Sequence, residues 1–264
     1  MNQIRVFSLY SGSTGNSFLI SAPGGAILID AGKSAKRLCQ SLQALDVSPN
    51  DIRAVLLTHE HSDHISALPV FLKKHPIPVH LPVGCLYKLE KEPAVLPCLH
   101  PHPSVYTEEI GGMRITSFAT PHDSNASVGY RIEIPLEEKI FRIGYATDVG
   151  YVTPIIEEHL MGCDAVILES NHDPEMLRTG PYPYQLKTRI ASRKGHLSNG
   201  DSALLASRLC AGGTKSLMLA HLSAENNTPE LAFDECFCAV GDSSVTICIA
   251  HPEEITELPL EVPV

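Results

Sequence analysis

The chain has 264 residues, 44% of them hydrophobic and 19% charged, which is the balance of a globular protein rather than a disordered or fibrous one. No apolar run approaches the roughly 20 residues of a membrane-spanning helix, and no basic stretch leading into a long apolar segment opens the sequence, so a cytoplasmic protein without a membrane partner is expected. A formal net charge of −10 disfavours an extended positive face for long duplex nucleic acid while leaving room for a local basic groove.

Eight cysteines are scattered with no Cys-x-x-Cys spacing. They read as reduced, mostly buried thiols, and Cys236-x-Cys238 lacks the neighbours needed to close a tetrahedral metal site. With no linker, repeat or low-complexity tract in view, one domain over residues 1–264 is expected, of undetermined oligomeric state.

Residues 4–10 and 17–20 read as strands joined by Ser11-Gly12-Ser13-Thr14-Gly15-Asn16. A strand, not a helix, follows this glycine-rich loop, so it fails the context of a phosphate-binding loop and reads as a tight hairpin turn at the rim of a site. A third apolar run, 26–29, ends in Asp30, which is either a helix N-cap or a buttress of a metal site. Residues 34–45 read as an amphipathic helix and 52–57 as a buried strand.

At the end of that strand stands Thr58-His59-Glu60-His61-Ser62-Asp63-His64. Afterwards Ile65, Leu68, Phe71 and Leu72 repeat at helical spacing. His59 and His61, two apart at a strand end, point the same way, while Asp63 and His64 face the same space from the first helical turn. Ligands in α/β architectures bind outside the carboxyl ends of strands. One cation can take His59 and His61, and a second Asp63 and His64. Imidazole with carboxylate suits zinc, manganese or iron, so two divalent ions, Mn2+ or Zn2+ with iron also compatible, are the expected cofactors.

Residues 77–81 read as a strand, 84–90 as a short helix, and 93–103 as a proline-bearing loop whose His100 and His102 are solvated. Strands follow at 105–109, 113–119, 127–134 and 140–147. Two of their ends carry candidate ligands: His122 in Thr120-Pro121-His122-Asp123-Ser124, and Asp148 in Thr147-Asp148-Val149-Gly150. A two-cation site needs an anion between its ions, and Asp148 is the natural bridging carboxylate. A helix at 154–160 precedes a buried strand, 165–168, which ends in Glu169-Ser170-Asn171-His172-Asp173. His172 reads either as support for the site or as purely structural.

Gly180-Pro181-Tyr182-Pro183-Tyr184 forms a stiff turn. A basic helix carrying Lys187, Arg189, Arg193 and Lys194 follows, either as a solvated face or as a substrate contact. Gly195-His196-Leu197-Ser198-Asn199 opens a helix to 209, with Ser198 or Asn199 as N-cap. A strand at 216–220 ends in His221. A helix at 229–240, a last strand at 245–250 and a surface tail complete the chain. His75, His80, His159 and His251 have no partner motif and read as structural or exposed. Strand clusters alternating with helices, twice over, predict two stacked sheets with helices outside.

Together these motifs resemble the metallo-β-lactamase superfamily over nearly the whole chain. The resemblance implies an α/β (α+β) αβ/βα four-layer sandwich, two mixed β-sheets flanked by helices. His59, His61, Asp63 and His64 match the family signature, His122, Asp148 and His221 match its later ligand motifs in order, and Asp30 matches its first aspartate. Within the superfamily the chain is most similar to the WalJ- and YycJ-type nuclease branch, through Ser11–Asn16, 145–150, 169–173, 180–184 and 195–199.

That branch implies a dinuclear-metal phosphodiesterase, a 5′-to-3′ exonuclease on single-stranded DNA ends or short oligonucleotides. One ion takes His59, His61, His122 and Asp148, and the other takes Asp63, His64, Asp148 and His221; a hydroxide shared between them attacks phosphorus. Asp63 also orients the nucleophile. His196, fixed by Glu169, contacts a phosphate oxygen or protonates the leaving group. Tyr182, Tyr184, Lys187, Arg189, Arg193 and Lys194 are the candidate strand contacts. No long tRNA-clamping arm is apparent. The alternative is a small-molecule hydrolase of the same fold, acting on a cyclic phosphodiester or a thioester. A basic helix with His196 favours phosphate, since neutral carbonyl substrates need no cationic clamp.

Overall fold

A computed structural model describes residues 3–261. Its strands are β1 (Arg5–Tyr10), β2 (Ser17–Ala22), β3 (Gly25–Ile29), β4 (Ile52–Leu56), β5 (Val79–Pro82), β6 (Leu99–His102), β7 (Thr107–Ile110), β8 (Met113–Ala119), β9 (Val128–Pro135), β10 (Ile140–Ala146), β11 (Ala165–Glu169), β12 (Ser216–Ala220), β13 (Thr246–Ile249) and β14 (Thr256–Leu258). Its helices are α1 (Ala35–Ala44), α2 (Ser62–Ile65), α3 (Leu68–Lys74), α4 (Leu86–Leu89), α5 (Pro154–Leu160), α6 (Pro174–Thr179), α7 (Tyr184–Ile190), α8 (Asn199–Ala211) and α9 (Pro229–Val240).

The strands form two sheets, ordered β14-β1-β2-β3-β4-β5-β6 and β13-β12-β11-β10-β9-β8-β7. Each is mixed. β3 to β6 run parallel in the first, β10 to β13 run parallel in the second, and antiparallel strands complete both. The period-two pattern of the strands explains the layering. In β4, Ala54 and Leu56 face the inter-sheet core, while Val55, with Leu57 just past the strand, faces a second core shared with Leu38 and Leu42 of α1 and Phe71 of α3. In β11, Ala165 and Ile167 face inward, while Val166 and Leu168 pack with Leu160 of α5 and Leu205 and Leu209 of α8. Strands buried on both faces must be apolar throughout, which is why these runs lack polar alternation. Truncating one such side chain, Ile143→Ala for instance, costs about 2–5 kcal/mol.

Several local readings change. The helix after the His59–His64 cluster is split into α2 and α3, with Pro69 in the first turn of α3, where its missing N–H costs nothing. The 93–103 segment is not all loop: β6 lies there as an edge strand parallel to β5, a position that tolerates Pro101. His102 and His80 are consequently partners rather than solvated or isolated, with Nε2 and Nδ1 2.9 Å apart, and His102 stacks on Tyr106. The C-terminal tail is not merely surface, because β14 pairs antiparallel with β1 and buries Leu258. The basic helix α7 stops at Ile190, which leaves Arg193 and Lys194 in the turn that follows. Ser198 is the N-cap of α8, accepting from the Asp201 N–H. All eight cysteines are free, and Cys238 alone is exposed.

Candidate metal centre

Register and topology bring the strand ends together. β3, β4, β8, β10, β11 and β12 deliver Asp30, the 59–64 segment, His122, Asp148, Glu169 and His221 from their carboxyl ends. The pairing of Glu169 with Ala220 sets Glu169 beside His221. Asp30, Asp148 and His221 have φ of 60°, 57° and 58°, in the left-handed region that non-glycine residues rarely occupy. Each such residue costs roughly 1–3 kcal/mol of backbone strain. Of the five non-glycine residues with positive φ among those described, these three lie at the site; the strain turns each side chain inward at the end of its strand.

The loops are then locked to one another. Gly32 runs against the 62–64 turn so closely that a Cβ would sit 1.9 Å from the Asp63 carbonyl oxygen. Backbone bonds Asn16 N–H to Asp63 O and Ala31 N–H to His64 O seal that contact at 2.8 Å each. The 120–127 loop closes on itself through Thr120 N–H to Ser127 O (2.9 Å) and is tied to the 58–60 segment by Asn125 N–H to Glu60 Oε1 (3.0 Å).

The ligand-type side chains form four overlapping groups: His59, His61 and His122; His59, His64 and Asp148; Asp63, His64 and His221; and Asp148, Glu169, His196 and His221. Asp148 is central. Its Oδ2 lies 3.5 Å from His64 Nε2, and its Oδ1 lies 3.7 Å from His122 Nε2 and 3.5 Å from His221 Nδ1. His59 Nε2 is 3.0 Å from His61 Nδ1, which is 3.4 Å from His122 Nε2. Asp63 Oδ2 lies 3.2 Å from His64 Nε2 and 3.8 Å from His221 Nε2.

Four of the five inward-facing histidines, His59, His64, His122 and His221, are aimed by a bond from the other nitrogen. His64 Nδ1 meets Asp30 Oδ2 at 2.8 Å, and Asp30 in turn accepts from the Thr58 N–H and hydroxyl. Asp30 is therefore a buttress, not a helix cap; α1 is capped by Ser34. His59 Nδ1 meets Thr58 Oγ1 at 3.0 Å, His122 Nδ1 meets Gly195 O at 3.1 Å, and His221 Nδ1 meets Glu169 Oε1 at 2.9 Å. The nitrogens left facing the centre are Nε2 of His59, His64, His122 and His221 and Nδ1 of His61.

This donor set fits a cation. Imidazole–imidazole contacts near 3 Å allow one proton between two lone pairs. Asp148 Oδ2, His221 Nε2 and Asp123 Oδ1 are shielded from solvent without a hydrogen-bond partner among the described residues, a costly state unless a further group engages them. The charges agree. Burial holds His59 well below its usual range, aided by the nearby His64, and burial likewise lowers His122. Burial would also lower His64 and His221, but Asp63, Asp30 and Asp148 raise His64 well above neutrality, and Asp148, Asp63 and Glu169 raise His221 to about 10. The carboxyls respond in kind. Burial would raise Asp148, but His221, His64, His59 and His122 hold it well below the usual range. Protons thus occupy positions where these ligand types hold divalent cations.

His196 stands at the rim. Its Nδ1 contacts Glu169 Oε1 at 2.8 Å and lies 3.7 Å from Asp148 Oδ1, and its ring is 5.2 Å from that of His122 and 5.1 Å from that of His221. Glu169 Oε2 accepts from the Val149 and Leu197 N–H groups. Burial would raise this carboxyl, but His196 and His221 pull it down to about 2. His172 is buried, its backbone bridging to Ser198, and Nδ1 has no partner among the described residues.

The basic residues separate. Lys187 donates to Arg178 O, and Arg189 pairs with Asp123, whose Oδ1 lies 3.2 Å from His122 Nε2. Arg193 stacks on Tyr151. Tyr184 is 82% exposed and Tyr182 half-buried. Three residues at the site escaped the sequence reading. Asn16 Nδ2 lies 3.3 Å from Asp63 Oδ2 and 3.2 Å from His64 Nε2, and only its place at the end of a glycine-rich loop hinted at this. Asp123 was visible as the neighbour of His122. Tyr151 carried no signal.

Residues 26–222 match the family model of the beta-lactamase superfamily domain. The chain is 36% identical over 228 residues to "Exodeoxyribonuclease WalJ" of Streptococcus pneumoniae, covering 85% of this chain and 83% of that protein. It is 34% identical to "Exodeoxyribonuclease YycJ" of Bacillus anthracis, covering 85% and 84%. Among solved structures, the metallo-beta-lactamase fold protein YhfI from Bacillus subtilis superposes with a TM-score of 0.73 over 97% of this chain and 100% of that one; at 16% identity it shares the fold.

Proposed function

The chain belongs to the metallo-β-lactamase superfamily, in the branch of the WalJ- and YycJ-type exodeoxyribonucleases, and from that membership we propose that it is a two-metal phosphodiesterase trimming single-stranded DNA from the 5′ end. The observation that carries the reading is the His196–Glu169 pair beside a nest of inward-facing imidazoles and carboxylates. A fixed imidazole at the rim supplies a general acid or a phosphate contact that assists phosphoryl transfer beyond its metals.

In this reading His59, His61, His122 and Asp148 hold one divalent cation, and Asp63, His64, Asp148 and His221 hold the other, as zinc or manganese. Such ions supply Lewis acidity and a water of lowered pKa. The rest is done by side chains of this chain. Asp63, partly exposed at the mouth and held ionised by His64 and His221, orients the attacking water. Glu169 holds His196 Nδ1, so the opposite nitrogen is presented to a phosphate oxygen or to the leaving oxygen. Arg189 at the mouth and the exposed face of Tyr184 engage the strand.

The test is degradation of single-stranded DNA labelled at either end, with bis-p-nitrophenyl phosphate in parallel, by manganese-loaded protein. Mononucleotides released from the 5′ end are expected. Turnover of the small ester with intact DNA would overturn the reading in favour of a small-molecule phosphodiesterase.

A further inference from the structure

Beside His122 lies a cavity of about 420 Å3 lined by the 119–127 loop, Tyr151, Arg193 and Lys194. It lies within the roughly 300–1,000 Å3 of small-ligand pockets. Three features set its wall apart from ordinary surface. First, Arg193 and Lys194 form no ion pair among the described residues, whereas Arg189, on the preceding helix, is paired with Asp123. Both line the cavity beside His122, where two adjacent cations without a carboxylate partner favour an anion. Second, the Arg193 guanidinium lies 4.1 Å from the centroid of the Tyr151 ring, and such a flat stacked pair suits both a phosphate and a base. Third, Ser124 Oγ, in the same wall, is shielded from solvent without a partner among the described residues.

The wall is held to the metal centre. Gly150 donates its N–H to Pro121 O at 2.7 Å. It passes so near the 193–194 backbone that a Cβ would meet the Arg193 carbonyl oxygen at 2.3 Å. The three loops of the pocket are thus tied to His122, whose Nε2 faces the candidate metal centre.

We infer that this cavity binds the terminal nucleotide of the strand, Arg193 and Lys194 taking its phosphate and Tyr151 stacking on its base. The inference rests on the nuclease reading for its location but not for its chemistry: a nucleoside monophosphate is recognised here whether or not it is joined to a longer strand. It gives the site an end-binding pocket, which an exonuclease needs and an endonuclease does not.

The experiment measures binding of dAMP, deoxyadenosine and inorganic phosphate to the metal-loaded protein by calorimetry, apart from any cleavage. The wild-type protein binds dAMP more tightly than either fragment. Arg193→Ser with Lys194→Ser weakens dAMP by about tenfold and leaves deoxyadenosine unchanged, Tyr151→Ala weakens both by about tenfold, and Arg178→Ser, remote from the pocket, alters neither. Metal content of each variant, measured in the same samples, keeps the comparison clear of misfolding. No dAMP binding, or equal dAMP affinity in the wild-type protein and the 193/194 variant, overturns the inference. DNA left intact by a protein that binds dAMP in this residue-dependent way overturns the nuclease reading and leaves the pocket standing.

Discussion

The metal centre and its basic flank lie a few ångströms apart and are built on opposite principles. In the centre nearly every side chain is buried, aimed by a second hydrogen bond and held on a strand end, three of them with left-handed backbone. On the flank, residues 182–194, side chains are exposed, the helix is short, and one arginine rests on an aspartate at the mouth of the centre. On the proposed reading the contrast assigns the chemistry to the rigid sheet ends and the grip on substrate to the exposed flank, coupled to the centre at one point through Arg189, Asp123 and His122.

Breaking the centre should have the largest effect. Asp148→Asn removes the carboxylate shared by both halves, so cleavage should fall to background and metal content, read by elemental analysis, to one ion or none. Retention of two ions would refute the bridging role. His196→Ala should keep its metals yet lose about 10²–10⁴ in kcat, and unchanged kcat would remove it from the mechanism. Glu169→Gln should cost about 10–100-fold, with Val149 and Leu197 still hydrogen-bonded. On the flank, Arg189→Ala should raise KM several-fold and reduce the salt dependence of binding by about one phosphate contact, with kcat little changed.

Titration sharpens the same contrast. In metal-free protein His221 is raised from 6.5 to about 10, so it stabilises the fold below pH 6.5 and loses that effect as pH rises through 10. Glu169 is lowered from 4.5 to about 2, so its contribution is full above pH 4.5 and is lost as pH falls through 2. Melting temperature of the chelated protein should therefore fall at both extremes. Because His64 and His221 hold protons at neutrality, metal binding at pH 7 should release protons, seen as a dependence of calorimetric heat on buffer ionisation enthalpy. Heat independent of buffer would refute the proton exchange.

Legibility in the sequence follows the same division. His59, His61, Asp63 and His64 could be read directly because a strand end and a helical turn place them together within one short segment. His122, Asp148 and His221 were legible because each follows a short, mostly apolar strand run that ends abruptly in polar residues. Asp30 was left open between cap and buttress, because only the register of β3 against β4 decides it. Tyr151 was illegible, because its relation to Arg193 depends on how two loops meet rather than on any local pattern. The edge strand β6 was hidden by Pro101, a residue whose cost depends on which side of a sheet it occupies.

The most direct test is anomalous diffraction from crystals of metal-loaded protein. Two neighbouring peaks are predicted, one among His59, His61, His122 and Asp148 and the other among Asp63, His64, Asp148 and His221. A single peak, or a pair bound elsewhere with His122, Asp148 and His221 disengaged, would contradict the account.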